Sequence, residues 1–114
     1  MKLSLQRAVS VCCLTALAGC QTADIRIANV SEHDFTDVSV AGKLYGDIAS
    51  GTTSDFMPVV MKARYVAMKV YVEGEYFSGQ TLNLGSRTIT YEIGVKDFDK
   101  RHLAIRIIRD PSRD

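Results

Sequence analysis

Tyr65-Val66-Ala67-Met68-Lys69-Val70-Tyr71-Val72 is the stretch on which the fold turns. Val66, Met68, Val70 and Val72 recur at every second position, with Ala67, Lys69 and Tyr71 between them. Successive side chains of a strand point to opposite faces, so this spacing makes one apolar row and one mixed row. Glu73-Gly74 follows as a compact turn into Glu75-Tyr76-Phe77, and the pattern predicts a hairpin.

The same period of two extends in both directions. Upstream, Ile25 and Ile27 alternate with Arg26 in a strand ending near Val30, and Ser31-Glu32-His33-Asp34 is a polar turn. Phe35–Ala41 resumes with Val38 and Val40 on one face. Gly42, Gly46 and Gly51 then cut the chain into short pieces, with strands expected over Lys43–Ile48 and Thr52–Met57. Downstream, Gly79 and Gly85-Ser86 bracket Gln80–Leu84. Ile89, Tyr91, Ile93 and Val95 alternate with Thr88, Thr90 and Glu92, which reads as one dry and one wet face. Asp97–Arg101 is a charged turn, Leu103, Ile105 and Ile107 form a last apolar row, and the end of the chain is a polar tail. Seven to nine short strands at this spacing predict an all-β fold, an antiparallel β-sandwich, with a small closed barrel as the alternative. The chain has no Trp and no Cys…Trp…Cys pattern, so the expectation is Ig-like or transthyretin-like in architecture only.

The first twenty residues read differently. Lys2 and Arg7 supply positive charge, and Ala8 to Ala18 then runs without a charge. That run is shorter than the roughly 20 residues needed to span a bilayer, but it suits the apolar centre of an export signal. Leu17-Ala18-Gly19-Cys20 resembles the lipobox of bacterial lipoproteins. The resemblance implies cleavage between Gly19 and Cys20, with a diacylglycerol thioether and an N-acyl chain on Cys20. Two or more acyl chains anchor a protein stably, at about 0.8 kcal/mol per buried CH₂. Gln21 in place of Asp implies, by the same resemblance, the outer membrane at its periplasmic face, with the inner membrane or the cell surface as alternatives. The expected organisation is a cleaved signal over 1–19, a lipidated Cys and short tether over 20–23, a β domain over 24–109 and a tail over 110–114.

Removing 19 of 114 residues leaves 95, one domain's worth. The signal takes two of the 14 Lys/Arg and none of the 13 Asp/Glu, so the mature balance is 12 minus 13, or −1. A near-neutral surface of mixed sign argues against nucleic acid and against a polybasic membrane patch. Cys12 and Cys13 leave with the signal and Cys20 is consumed by lipid, so no disulfide is expected.

Arg26-Ile27-Ala28-Asn29-Val30-Ser31, Val38-Ser39-Val40, Tyr45-Gly46-Asp47-Ile48 and Ser54-Asp55-Phe56 are similar to a group of small secreted or lipid-anchored bacterial β-sandwich modules. Gly85-Ser86-Arg87-Thr88-Ile89-Thr90-Tyr91 is similar to their last turn and strand. The resemblance implies fold and export, and no functional residue.

The candidate sites are weak by chemistry. His33 lies between Glu32 and Asp34, but adjacent turn residues point apart, and a zinc site needs three or four converging ligands. Asp97-Phe98-Asp99 starts like a calcium loop, yet Lys100-Arg101 opposes a cation and the glycine and final Glu are missing. Gly46 and Gly51 have phosphate-loop spacing without the Lys or the helix. Asn29-Val30-Ser31 fits a glycosylation sequon only incidentally. Pro58 places Met57–Met61 at an edge or corner, a lipid- or partner-facing patch or, more in keeping with its composition, the end of the core. No enzyme, no metal and no cofactor beyond the acyl chains on Cys20 is expected.

The tether also constrains position: four residues of about 3.5 Å each reach about 14 Å, so the domain sits close to its bilayer. If strands alternate up and down, Ser31, Glu32, His33 and Asp34 fall at the far end, with Ala49–Thr52 and the Glu73–Glu75 turn that contains Gly74. That end is the expected partner surface, for an envelope protein or a glycan. The alternative is a structural or accessory subunit of an envelope complex.

Overall fold

A computed structural model describes residues 21–110, and within them the chain is all-β with no helix. The strands are β1 (Gln21–Asn29), β2 (Phe35–Val40), β3 (Lys43–Ile48), β4 (Met57–Met61), β5 (Tyr65–Val72), β6 (Glu75–Leu82), β7 (Thr88–Asp97) and β8 (His102–Arg109). They form one sheet in the order β3-β2-β5-β6-β8-β7-β1-β4. The sheet curls until it is nearly a barrel, with β3 and β4 as its two open edges. Residues Met1 to Cys20, on which the expected signal and lipobox fall, lie outside the described residues, as do residues 111–114.

The sheet is mixed, which corrects the wholly antiparallel expectation. β1 runs parallel to β7, pairing Asp24 with Thr88 through Asn29 with Ile93, and β6 meets β8 in parallel at the single pair Ser78–His102. Consecutive strands do alternate in direction. A parallel neighbour arises because β1 is flanked by strands distant in sequence, β7 and β4, rather than by its successor.

Period two explains the core. Val66, Met68, Val70 and Val72 of β5 are buried, and Tyr65, Ala67, Lys69 and Tyr71 are exposed. Ile25 and Ile27 of β1, Phe35, Val38 and Val40 of β2, Phe77 of β6 and Ile89, Tyr91 and Ile93 of β7 join them without solvent contact. Leu103, Ile105 and Ile107 of β8 pack against this cluster while remaining partly exposed.

Four local readings change. The first strand begins at Gln21, with Gln21, Thr22 and Ala23 paired to Met61, Val60 and Val59, so these residues are strand rather than tether. Thr52–Met57 is not a strand: Thr53 makes one bridge to Ala28, and the pairing starts at Met57. Gly79 does not break β6, because its backbone is extended and a side chain there would meet Ile105 Cδ1 at 3.1 Å. That glycine marks a close approach of β8. The Thr row of β7 is covered: Thr88 and Thr90 are buried, and at Thr90 Arg26 donates from Nε to Oγ1 at 2.9 Å while stacking 4.6 Å over Phe56. Pro58 does sit on an edge strand, with Val59 and Met61 turned into the core and Val60 outward.

Two tyrosines end inside the curl. Tyr45 donates its hydroxyl to Ile25 O at 2.6 Å, and burial, reinforced by Tyr91 and Asp24, holds its pKa well above the usual phenol value. Tyr91 is fully buried, its hydroxyl has no partner among the described residues, and burial pushes its pKa up to about 12. Both shifts favour the neutral phenol in the folded state. Burial penalises only the phenolate, so the fold keeps its full stability below pH ~10 and loses it as pH rises towards 12 and beyond, on the order of 2 kcal/mol for Tyr91. Tyr91→Phe removes a desolvated hydroxyl that bonds to nothing, so we expect it to raise stability by about 1 kcal/mol at pH 8. Urea unfolding at pH 8 and pH 11 reads both effects, and a variant that keeps the full alkaline loss would refute the assignment.

Candidate functional site

The alternating strands give the molecule two unlike ends. Gln21, the β2–β3 turn, the β4–β5 connection and the β6–β7 connection lie at one end, called here the near end. The Ser31–Asp34 loop, the Ala49–Thr52 turn, the Glu73–Gly74 turn and the Asp97–Arg101 turn lie at the other.

Asn29 builds the far end. It is buried at the last position of β1, and its side-chain Nδ2 donates to His33 O at 2.8 Å and to Ile48 O at 2.9 Å. Its Oδ1 accepts from Ser31 N at 3.0 Å and lies 2.7 Å from Ser31 Oγ. The Ser31 hydroxyl in turn accepts from His33 N at 3.0 Å. One amide thus closes the loop on itself and ties it to the end of β3. Ser50 completes the joint, donating from N to Asp34 Oδ1 at 2.9 Å and from Oγ to Ser31 O at 2.6 Å. Sequence reading passed over Asn29 as an incidental sequon. The signal it carried was Asn-x-Ser as a side-chain-to-backbone turn, since Asn29 Oδ1 bonds the amide two residues on.

The Glu73–Gly74 turn reaches the same place. Both residues have left-handed φ, 51° and 80°, as a tight two-residue hairpin between twisted strands requires. This turn aims Glu73 at the loop, where His33 Nδ1 and Glu73 Oε2 are 2.6 Å apart. The structure therefore brings Ser31, Glu32, His33, Asp34, Glu73 and Gly74 together, although two turns 40 residues apart supply them. Below, the His33 ring leans on Phe98 at 5.5 Å, and Phe98 meets buried Phe77 edge-on at 5.3 Å. Arg101 pairs with Glu75 beside them.

Glu32 and His33 form a wall between two shallow hollows. One, about 440 Å³, is lined by Glu32, His33, Asp34, Thr36, Glu73 and Gly74. The other, about 400 Å³, lies between Val30–His33 and Gly94, Val95 and Phe98. The far end carries eight carboxylates (Glu32, Asp34, Asp37, Asp47, Glu73, Glu75, Asp97 and Asp99) against Lys96, Lys100 and Arg101, a balance of −5. The surface is an acidic rim over an aromatic floor, suited to cationic or hydroxyl-rich groups.

The remaining candidates resolve as turn or strand positions. Asp97 Oδ1 accepts from Lys100 N at 3.1 Å, so that carboxylate closes its own turn. Gly46 lies within β3 and Gly51 in a turn, and no helix follows either among the described residues. Among the described residues no three His, Cys, Asp or Glu side chains are grouped to hold a metal ion. No helix among them is long and apolar enough to cross a membrane. Gly19 and Cys20 lie outside the described residues. Compared with known proteins, the chain matches no family profile and no curated sequence.

Proposed function

We propose that this chain is an exported lipoprotein, lipidated at Cys20, whose β domain is a non-enzymatic interaction module that meets a partner through its far end. The observation that carries the reading is the collection of Ser31, Glu32, His33, Asp34, Glu73 and Gly74 at the end opposite Gln21. Cys20 is the next residue before β1, so an acyl anchor there holds the near end at the bilayer, within one residue's span of about 3.8 Å. The acidic rim then faces away from the lipid, towards an envelope protein or a polysaccharide. An outer-membrane, periplasm-facing site fits Gln21 after the cysteine. In this reading the curled sheet is a sandwich of two four-stranded halves, β3-β2-β5-β6 and β8-β7-β1-β4, joined at the single Ser78–His102 pair. That division is compatible with the small lipid-anchored modules it resembles.

The anchor is tested by palmitate labelling and globomycin-sensitive processing, both expected to vanish in Cys20→Ser. The partner surface is tested by capture from detergent-solubilised envelope with the lipidated protein. Glu32→Lys with Glu73→Lys is expected to cut recovery of a specific partner about tenfold or more, because like charges then face each other across the interface. Lys69→Gln, on the exposed row of β5, serves as the control. Equal recovery with both variants would refute the far-end assignment.

A further inference from the structure

The near end has its own chemistry, and the sequence alone did not reveal it because the whole chain is nearly neutral. Among the described residues it carries Lys43, Lys62, Arg64, Arg87 and Arg109 against Asp24 and Asp110, a balance of +3 opposite the −5 of the far end. Folding has sorted mixed charge into a dipole along the strand axis.

Of the eight large apolar side chains most exposed among the described residues, Leu44, Val60, Tyr65, Leu82 and Leu84 lie towards this end, and Val30, Tyr71 and Tyr76 towards the other. Val60 is 49% exposed, Tyr65 51%, Leu82 47% and Leu84 45%. Tyr65 and Leu82 are direct cross-strand partners on the outer face of β5 and β6. Val60 points outward from the edge strand β4. Beside it, β4 and the start of β5 face the Ala41-Gly42-Lys43 turn across a groove of about 510 Å³. Lys62 and Arg64, both exposed, frame the β4–β5 connection. The connection after β6 is pinned to it, since Asn83 donates to Ala63 O at 3.1 Å, and Gln21 Nε2 donates to Gly85 O at 3.2 Å. The apolar and cationic groups therefore sit on connected, mutually bonded segments around the point where the chain enters the domain.

We infer that this near end is a membrane-contact surface for an anionic phospholipid bilayer: Val60, Tyr65, Leu82 and Leu84 enter the interface, and Lys43, Lys62 and Arg64 meet headgroup phosphates. The inference deepens the reading of Cys20 as an anchor, because it states what the domain does once it is held there. Charge and apolar exposure coincide at one end, the pairing that surface-lying membrane contacts use. Tyr65 has the amphipathic ring that favours the headgroup level. The consequence is a fixed orientation. An acyl chain alone leaves a domain free to pivot about its attachment point, whereas a docked near end directs Glu32 and Glu73 away from the lipid.

The chain contains no tryptophan, so one introduced indole reports depth without background. Leu84→Trp and, at the far end, Asp99→Trp are compared in the full lipidated protein on vesicles of phosphatidylglycerol and brominated phosphatidylcholine. Strong quenching at position 84 and little at 99 is expected, with the contrast reduced on pure phosphatidylcholine or at high salt. Lys62→Gln with Arg64→Gln should weaken docking about 25-fold, as each basic side chain near an anionic surface contributes about fivefold. Circular dichroism checks that the variants fold. Equal quenching at 84 and 99, or no effect of the charge pair, overturns the inference even with lipidated Cys20. If mass spectrometry finds Cys20 unmodified, the anchor reading fails separately. Then the same two indoles on the full chain added to the vesicles decide the surface: quenching at 84 supports it, and none overturns it.

Discussion

Asn29→Ala is expected to destabilise the domain by about 3 kcal/mol, measured as a lowered urea midpoint at unchanged slope. The substitution strands Ile48 O and Ser31 N and leaves His33 O with only the Ser31 hydroxyl, 3.0 Å away. The bond to Ile48 O is wholly buried, so no water replaces it, and an unsatisfied buried group costs about 1–3 kcal/mol. The other two lie at the partly exposed rim and recover some solvent. Asn29→Asp separates donor from acceptor. It keeps an oxygen for Ser31 N but turns a second oxygen on two carbonyls that need a donor, so at pH 7 it should cost at least as much as alanine. Hydrogen exchange should show the loss concentrated in the Ser31–Asp34 loop and at the end of β3. A cost under about 1 kcal/mol for both variants would mean that the amide is not the joint of the far end.

What the sequence made legible follows from how local each signal is. The row Val66, Met68, Val70, Val72 needs only the two-residue period, and Lys43–Ile48 and Glu73-Gly74 are delimited by their own turn chemistry, so these elements lie where the pattern puts them. Errors arose where a residue answers to a distant neighbour. Gly79 resembles a breaker but is the gap that admits Leu103 and Ile105 of β8. Gln21–Ala23 looks like a tether until Val59–Met61 is there to pair with it. Thr90 looks like part of a wet row until Arg26, arriving on the parallel strand β1, covers it. Parallel pairing itself leaves no mark in a short pattern. For the site, turn composition and alternation were enough to place the Ser31–Asp34 and Glu73–Gly74 turns at one end. Neither Asn29 nor Phe98 announced the long-range bonds and ring contacts that hold that end together.

Phe77→Ala is expected to cost about 3–5 kcal/mol, a large part of what a domain of this size possesses. The inward row of β6 is Glu75, Phe77, Gly79 and Thr81, opposite Val72, Val70, Met68 and Val66 of β5, and Phe77 is its one buried side chain. β6 therefore has a single large anchor in the core. It is also the strand at the thinnest point of the sheet, joined to β8 through one residue pair. Truncating the ring leaves a cavity in the place least able to close over it, because neighbouring Gly79 already packs against Leu103 and Ile105. The change should also reach the far end: Phe98 loses the ring it meets edge-on, and His33, leaning on Phe98, loses its floor. Phe77→Leu, which retains most of the volume, should cost much less. A double-mutant cycle of Phe77→Leu with Phe98→Leu should show coupling of about 0.5–1.5 kcal/mol, the range for an aromatic pair. Purely additive costs would show that core and far end are mechanically independent. Coupling would make the strength of the partner surface depend on how well β6 is seated, so core variants that never touch the rim should still weaken capture.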